Sequence, residues 1–341
     1  MAASKSDRLS TRPDTSAISG LSFSLQLQAI MTKSSPKRAM VTGASGFTGR
    51  YLCRNLTRAG WQVTAIARPA SAAELRNDPS IENVYEYTGQ TAELLNACAN
   101  ARPTAVFHLA SLYFTTHTSE QVEPLIKTNI LFGAQLLEAM KSSGCTVLVN
   151  AGSNWQNYRA QPPFDEPEFC PVDLYAATKQ AFEALAMFYV ETAGLRCINL
   201  RLFDSYGAGD TRRKVVRLLL DTLRTGQPLG MSPGDQILDL IHIDDMCRSF
   251  LHAAQLAFEQ PQPGAAIYSV SGGQRRSLRE VVATFEEAAA HKLPVEFGAR
   301  PHRYREVMNP WEGPPLPGWT PQIKLLEGFR SLIAEEIPRA L

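Results

Sequence analysis

The chain has 341 residues, of which 44% are hydrophobic, and its formal net charge is +1. This size and apolar content suffice for one large domain or two closely joined ones. The near-neutral charge gives no support for nucleic-acid or membrane binding through bulk electrostatics, and no apolar stretch approaches the roughly 18 residues of a membrane span. The six scattered cysteines exclude an obvious zinc motif and suit a reducing compartment. We therefore expect a cytoplasmic protein without a metal site.

Residues 1–36 differ in composition from the rest of the chain, being rich in Ser, Thr and Ala without a sustained apolar period. We expect a poorly ordered tail, or an upstream extension of a protein that starts at Met31. The tail lacks the long apolar core of a secretory signal. A transit peptide stays open because basic residues outnumber acidic ones, although Asp7 and Asp14 argue against it.

From Lys37 onward, short apolar segments alternate with helical patterns. This alternation predicts an α/β fold, a doubly wound parallel sheet of the Rossmann type with helices on both faces. The predicted strands are Arg38–Thr42, Gln62–Ala67, Thr104–Leu109, Thr146–Asn150 and Arg196–Leu202. The predicted helices are Phe47–Ala59, Ala70–Asn77, Thr91–Ala99, Glu120–Ser142 and Leu174–Ala193.

The alternation breaks after Phe203, where glycine, proline and charged residues become more frequent. We predict a cofactor-binding domain over residues 37–203 and mainly a small C-terminal substrate-binding lobe over residues 204–341. Residues 237–260 are expected to return to the first domain. The apolar runs Ile237–Ile243 and Ile267–Val270 are predicted as further strands of the main sheet.

A glycine-rich turn follows the first predicted strand and precedes a helix. Its glycines permit a tight turn and the approach of a pyrophosphate to free N–H groups at the positive end of the helix. The pattern predicts a dinucleotide site, the alternative being a purely structural turn. The predicted cofactor contacts here are Gly43, Ser45, Gly46, Phe47, Thr48 and Gly49.

The end of the second predicted strand bears on the choice of cofactor. An acidic residue there would bind the adenosine ribose and favour NAD, but the sequence reads Ala67-Arg68-Pro69. Arg68 can pair with a 2′-phosphate, so we predict NADP as NADPH. NAD stays open, because an arginine that stacks on adenine suits either cofactor.

Tyr175 and Lys179 are four residues apart in a predicted helix, so their side chains share one face. The Lys179 ammonium is expected to lower the pKa of the phenol and to bind the nicotinamide ribose. Ser153, at the end of a strand, would hold the substrate oxygen. The three residues predict proton transfer beside a hydride transfer at a C–OH/C=O centre; alone, the pair would be a buried aromatic and a surface charge.

These segments resemble the extended short-chain dehydrogenase/reductases, in their nucleotide-sugar (NAD-dependent epimerase/dehydratase) branch. The resemblance covers the Val41–Gly49 loop, His108–Ser111, Arg201–Gly207 and Leu316–Pro321. It implies a homodimer formed through the two long helices, Glu120–Ser142 and Leu174–Ala193. The further cofactor contacts that it implies are Leu109, Ala110, Ser111, Asn129 and Phe203.

Within that branch, the segments around Ser153 and Tyr175 are similar to CDP-abequose and CDP-paratose synthases. The similarity implies reduction by NADPH of the C4 ketone of a CDP-linked sugar. Dehydration is not expected, because Asn154 and Trp155 stand where dehydratases of the family carry an acid. A 4-epimerase and a non-catalytic NADP-binding regulator stay open as alternatives. The predicted substrate contacts are Asn154, Trp155, Arg212, Arg213 and Arg303. For the adjacent Arg212 and Arg213, the alternative is that they are solvent-exposed residues at the start of a helix.

Overall fold

The structure is a computed structural model that describes residues 37–114, 116–158 and 169–337. The tail predicted over residues 1–36 lies outside the described residues. In the described part of the chain, no helix is both long and apolar enough to span a bilayer.

The strands of the main sheet follow the predicted alternation, with one strand, Asn83–Glu86, that the prediction missed. The prediction also missed four short strands of the small sheets, Asp204–Tyr206, Leu229–Met231, Arg276–Ser277 and Val295–Phe297. The strands are β1 Arg38–Thr42, β2 Gln62–Ala67, β3 Asn83–Glu86, β4 Ala105–His108, β5 Val147–Ser153, β6 Arg196–Leu202, β7 Asp204–Tyr206, β8 Leu229–Met231, β9 Ile237–Leu238, β10 Leu240–His242, β11 Gly264–Val270, β12 Arg276–Ser277 and β13 Val295–Phe297.

The predicted long helix over residues 120–142 is interrupted by a π-helical segment, Lys127–Leu131, and the other predicted helices form within three residues of their expected ends. The α-helices are α1 Phe47–Arg58, α2 Pro69–Arg76, α3 Thr91–Ala101, α4 Val122–Ile126, α5 Phe132–Ser143, α6 Leu174–Ala193, α7 Val215–Thr225, α8 Ile243–Glu259, α9 Leu278–Ala289 and α10 Leu325–Glu336.

The main sheet has seven strands in the order β11-β6-β5-β4-β1-β2-β3, and every neighbouring pair is parallel. Strand order reverses between β1 and β4, where open parallel sheets bind their ligands at the carboxyl edge. Thr42 lies opposite His108 at that edge, and Ser153 lies opposite Leu202. The predicted α/β Rossmann-type fold is therefore confirmed.

Alternate residues of the strands are buried under helices on opposite faces of the sheet. In β1, Val41 packs in the core with α1 and α8, whereas Met40 packs in the core with α3, α5 and α6. A third core, formed by α7, α9 and α10 around Phe285 and Phe329, belongs to the C-terminal part of the chain. Apolar burial on both faces is what makes the parallel strands continuous apolar runs.

The prediction that Ile237–Ile243 extends the main sheet is wrong. The run splits into β9, which pairs antiparallel with β12, and β10, which pairs parallel with β7. It splits at buried Asp239, whose carboxylate accepts hydrogen bonds from Ser271 Oγ at 2.6 Å and Gly272 N at 2.8 Å. In contrast, β11 pairs with β6 as predicted, and α8 packs on the main sheet.

Candidate active site

The glycines of the first turn are required by close backbone packing. Gly43 has a φ of +75°, and a Cβ there would lie 2.7 Å from the backbone nitrogen of Ala110. A Cβ on Gly49 would collide with the carbonyl oxygen of Gly43. Gly46 precedes α1 as its N-terminal cap, and its N–H donates to Gly43 O at 3.0 Å. The turn therefore packs directly against the exit of β4.

This cradle fits the phosphates of a dinucleotide. The first turn of α1 carries no acidic residue, and its N–H groups lie at the positive end of the helix. Ser45, Phe47 and Thr48 are partly exposed at the same edge, and Arg68 is exposed just beyond the end of β2. The residues present thus suit the cofactor, while their individual contacts stay predictions.

The exit of β4 is attached to α6 through Asn129 in the π-helical segment. Its Oδ1 accepts from Leu112 N at 2.7 Å, and its Nδ2 donates to Leu112 O and to Thr178 Oγ1, each at 2.9 Å. Asn129 is buried, so these bonds fix two elements of the site relative to each other. Its cofactor contact stays a prediction, as does that of buried Phe203.

Tyr175 lies in the first turn of α6. Asp173 caps the start of this helix, because its side chain accepts a hydrogen bond from Ala176 N at 2.8 Å. The phenol is hydrogen-bonded to the Ser111 side chain. The ring of Tyr113 packs edge-on against Tyr175 at 5.0 Å and against Trp155 at 5.7 Å, measured between ring centroids. The structure therefore brings Ser111, Trp155 and Tyr175 together around an aromatic residue that the sequence prediction missed. Its only signal was an aromatic position shortly after the predicted cofactor segment.

The expected lowering of the Tyr175 pKa is wrong. Burial raises the pKa of Tyr175 to about 12, and the charge of Asp173 adds to this, whereas the Ser111 hydrogen bond works against it. Burial also lowers the pKa of Lys179 to about 8, with the Glu183 carboxylate opposing that shift. Desolvation thus dominates both groups, and at neutral pH the phenol is protonated and the lysine mostly charged.

Ser153 is the last residue of β5 and is buried. Its Oγ accepts a hydrogen bond from Trp155 N at 3.2 Å, and its own N–H donates to Gln156 Oε1 at 2.9 Å. These reciprocal bonds cap the 3₁₀ turn Asn154–Gln156. A hydroxyl that accepts one bond can also donate its hydrogen, as the predicted role toward a substrate oxygen requires.

The predicted substrate-binding cations lie in the C-terminal part of the chain. Arg212 Nε donates to Asp210 Oδ1 at 2.8 Å, and its guanidinium lies 4.7 Å from the ring centroid of Phe47. Arg213 and Arg303 are both exposed, and the Nε of Arg303 lies 3.8 Å from Glu306 Oε2. Whether these arginines contact substrate stays a prediction.

Asp204 was missed by the sequence prediction, although it lies near enough to Tyr175 to raise the pKa of that phenol. Burial works to raise the pKa of Asp204 itself, but its ion pair with Lys214 and the nearby Arg212 and Arg303 lower it. Asp204 therefore lies near three cations, of which Arg212 and Arg303 are predicted substrate contacts. Among the residues that the structure describes, no group of three His, Cys, Asp or Glu side chains could hold a metal.

Known proteins are similar to this chain in sequence and in fold over most of their length. The sequence pattern of the NAD dependent epimerase/dehydratase family matches residues 39–270. CDP-abequose synthase of Salmonella muenchen is 25% identical over 307 residues, which cover 87% of this chain and 97% of the relative. UDP-glucose 4-epimerase of Mycolicibacterium smegmatis is also 25% identical, over 312 residues and the same shares of the two chains.

Among solved structures, MoeE5 in complex with UDP-glucuronic acid and NAD is similar to this chain, with a TM-score of 0.71 and 26% identity. The match covers 87% of this chain and 98% of MoeE5. The sequence match spans the glycine turn, the Tyr175–Lys179 helix and the sheet as far as β11. The chain therefore belongs to the NAD dependent epimerase/dehydratase family, as an NAD(P)-dependent enzyme of the extended short-chain dehydrogenase/reductase type that acts on nucleotide sugars.

Proposed function

We propose that this enzyme uses NADPH to reduce the C4 ketone of a nucleotide-linked deoxysugar, as expected for a CDP-abequose or CDP-paratose synthase. The observation that carries the proposal is a buried, protonated phenol at Tyr175, one helical turn before Lys179 on α6. We place Ser153, at the end of β5, on the same substrate oxygen. A reductase needs an acid at this position, because the ketone oxygen gains a proton as the carbon gains a hydride. CDP-abequose synthases are among the relatives with this fold, which makes a CDP-linked sugar our first candidate.

The nicotinamide, when bound, supplies the hydride that forms the new C–H bond at C4. Tyr175 transfers its phenolic proton to the former carbonyl oxygen, and the C=O π pair becomes the O–H bond of the product alcohol. Ser153 donates a hydrogen bond to that oxygen and so orients the carbonyl. Lys179 keeps a positive charge beside the phenol, which stabilises the tyrosinate until solvent returns its proton.

The preference for NADP rests on Arg68. Its exposed side chain follows β2 at the same sheet edge as the glycine turn, and the sequence has no acid there for the ribose hydroxyls. An arginine at this position pairs with a 2′-phosphate. NAD stays the second candidate, because MoeE5 was solved with NAD.

A nucleotide-sugar 4-epimerase is the second candidate function, since UDP-glucose 4-epimerases match this chain as well as the synthases do. An epimerase begins with oxidation, which requires Tyr175 to accept a proton. Burial raises the pKa of Tyr175, which favours the proton-donor role of a reductase over the proton-acceptor role. Neutral Asn154 and Trp155 argue against dehydration, because neither side chain can exchange a proton during the elimination of water.

We further propose a homodimer through the α4–α5 and α6 helices. Five large apolar residues of these segments are exposed, which is costly unless a partner covers them. They are Val122, Ile126, Leu131, Met187 and Phe188. Sedimentation should give a dimer for the wild type and a monomer for a Met187→Glu/Phe188→Glu variant. If the wild type and the variant have the same mass in solution, this interface is contradicted.

The reductase is tested by following NADPH and NADH oxidation with enzymatically prepared CDP-4-keto-3,6-dideoxyglucose. Stoichiometric NADPH oxidation that yields a 4-hydroxy sugar is expected, with NADH less efficient. Arg68→Ala should reduce the preference for NADPH, and Arg58→Ala, which changes the last residue of α1, is the matched control. Conversion of UDP-glucose to UDP-galactose without consumption of added cofactor would instead establish the epimerase.

A further inference from the structure

A buried polar network lies beneath Ser153, and none of its side chains is among the predicted site residues. Arg201 on β6 is fully buried, and its Nη1 and Nη2 donate to the two carboxylate oxygens of Glu183, the Nη2–Oε2 distance being 2.9 Å. Arg201 Nε donates to Asn157 Oδ1 at 2.9 Å. Glu183 lies on α6 one turn beyond Lys179. An ion pair thus links β6 to the helix that carries the proton-transfer residues.

Gln156 connects this ion pair to Ser153. Its Nε2 donates to Glu183 Oε1 at 3.0 Å and to Gln180 Oε1 at 2.9 Å. Its Oε1 accepts the Ser153 N–H. A Cβ on Gly152 would lie 2.7 Å from Arg201 Nη1, so the backbone that leads into Ser153 rests directly on the guanidinium. The network therefore spans from the Ser153 turn to the Lys179 face of α6.

A buried ion pair alone is weak evidence for a contribution to stability. Desolvation of both charges offsets most of their attraction, and apolar residues of equal volume often stabilise a core as well. What apolar residues cannot do is supply bidentate and amide hydrogen bonds of fixed geometry. Those bonds fix the position of Ser153 relative to α6, on which proton transfer depends.

We propose that Glu183, held by Arg201 and Gln156, is a positioning residue that locks the Ser153 turn to the catalytic helix and holds a negative charge beside Lys179. The proposal rests on the proton-transfer roles under the proposed function but not on the identity of the sugar. Glu183 contacts neither substrate nor cofactor in this scheme. It acts through Ser153 and Lys179.

The charges around Lys179 support an electrostatic part for Glu183. His108 on β4 is neutral, because burial and the charge of Lys179 lower its pKa to about 3. On β6, Arg201 is paired with Glu183, and burial raises the pKa of the Cys197 thiol so that it stays neutral. Glu183 is thus the anion that opposes the desolvation of Lys179. Without it, Lys179 should lose its proton at lower pH.

The test uses the double variant Glu183→Gln/Arg201→Met, which removes both charges and leaves no unpaired guanidinium. We expect kcat to fall about 100-fold, as for a small misplacement of reacting groups, with KM little changed. The alkaline limb of the kcat/KM profile should move to lower pH by about one unit. Glu183→Asp should restore part of both effects, because it keeps the charge. Wild-type kcat and an unmoved alkaline limb in the double variant would overturn the proposal.

The geometric and electrostatic parts are separated by Gln156→Met, which keeps the ion pair and removes the link to Ser153. It should lower kcat without moving the alkaline limb, and an unchanged kcat would contradict the link.

A second experiment needs no substrate. It measures how the free energy of unfolding depends on pH in proteins with and without the Lys179 side chain. The substitution Lys179→Met is made in the wild-type and in the double-variant background, and each product is compared with its parent. The stability difference due to Lys179 should begin to change at lower pH in the double variant. If every nucleotide sugar proves inert while this shift is observed, the proposed function fails and the positioning role stands. If the shift is absent, the electrostatic role fails.

Discussion

The predicted cofactor side of the site, around the glycine turn and Asn129, is built differently from the predicted substrate side, around Asp204. On the predicted cofactor side, and in the network beneath Ser153, buried polar side chains are bonded to other protein groups, as in Asn129 and in the Arg201–Glu183 pair. On the predicted substrate side, Lys214 and Asp204 form an ion pair with about a third of each side chain exposed, and Arg303 is 61% exposed. Groups that must hold a fixed geometry are thus inside, and groups that can change partner face solvent.

The energetics of burial explain this division. A buried polar group without a partner is expensive, so most such groups are hydrogen-bonded, and a buried network of them permits few arrangements. An exposed ion pair contributes only about 0–1 kcal/mol, so an anionic ligand can take over its cation at little cost. The predicted cofactor side is therefore suited to a fixed geometry, and the predicted substrate side to cations that can exchange one anionic partner for another.

The largest expected effect is on the chemistry itself. Tyr175→Phe removes the acid and should lower kcat by about 10²–10⁴-fold, the usual contribution of a positioned proton donor. NADPH affinity, measured by fluorescence titration, should change little, because the ring still packs against Tyr113. The neighbouring substitution Tyr113→Phe is the matched control and should retain most activity. Turnover that survives in Tyr175→Phe would contradict the catalytic assignment.

Lys179→Met should inactivate the enzyme and yet stabilise the fold. The pKa of Lys179 is lowered from 10.5 to about 8, so the unfolded chain binds more protons between these values. Stability should therefore rise with pH through this window, and the buried ammonium costs the folded state up to about 3 kcal/mol at pH 7.

Urea unfolding at pH 7 and at pH 10 measures this cost. The variant should be the more stable protein at pH 7, and its advantage should shrink at pH 10, where wild-type Lys179 is neutral. A variant that is less stable at pH 7 would show that Glu183 compensates the buried charge more than its desolvation costs.

The sequence predicted the fold around the glycine turn and around Tyr175 well, because the signals there are local. The glycine spacing follows from the turn that packs on the β4 exit, and the Tyr175–Lys179 spacing follows from one turn of helix. The strands were readable because burial on both faces makes them continuous apolar runs. The prediction of one main-sheet strand at Ile237–Ile243 was wrong because a single buried acid, Asp239, interrupts the run.

What could not be read from the sequence depends on contacts between distant residues. Arg201 and Glu183 are 18 positions apart, and nothing in either segment marks them as partners. The direction of the Tyr175 pKa shift was missed for the same reason, since burial is a property of the assembled fold. Tyr113 reaches Tyr175 only through the course of an irregular loop.

Arg305 offers a smaller test, of how the segment after β13 is attached to the start of α6. Its Nε donates to Val172 O and its Nη2 to Pro171 O, each at 2.8 Å, just before α6 begins. Arg305→Ala should lower the free energy of unfolding by about 1–2 kcal/mol through loss of these charge-assisted bonds. Arg303→Ala, two residues away, is the matched control and should cost less than about 1 kcal/mol, because its pair with Glu306 is exposed. Equal losses in the two variants would contradict an anchoring role.

The smallest effect should come from Asp204 on the substrate side. Asp204→Asn removes the partner of Lys214, which leaves that cation available to the phosphates of a nucleotide sugar. We expect KM to fall about two- to fivefold at low ionic strength, the equivalent of one exposed ion pair, and the gain to disappear at high salt. Asp221→Asn, which removes a carboxylate from the pair with Arg217 on α7, is the matched control. A rise in KM would mean that Asp204 itself binds the substrate, and the substrate side would then share the fixed geometry of the cofactor side.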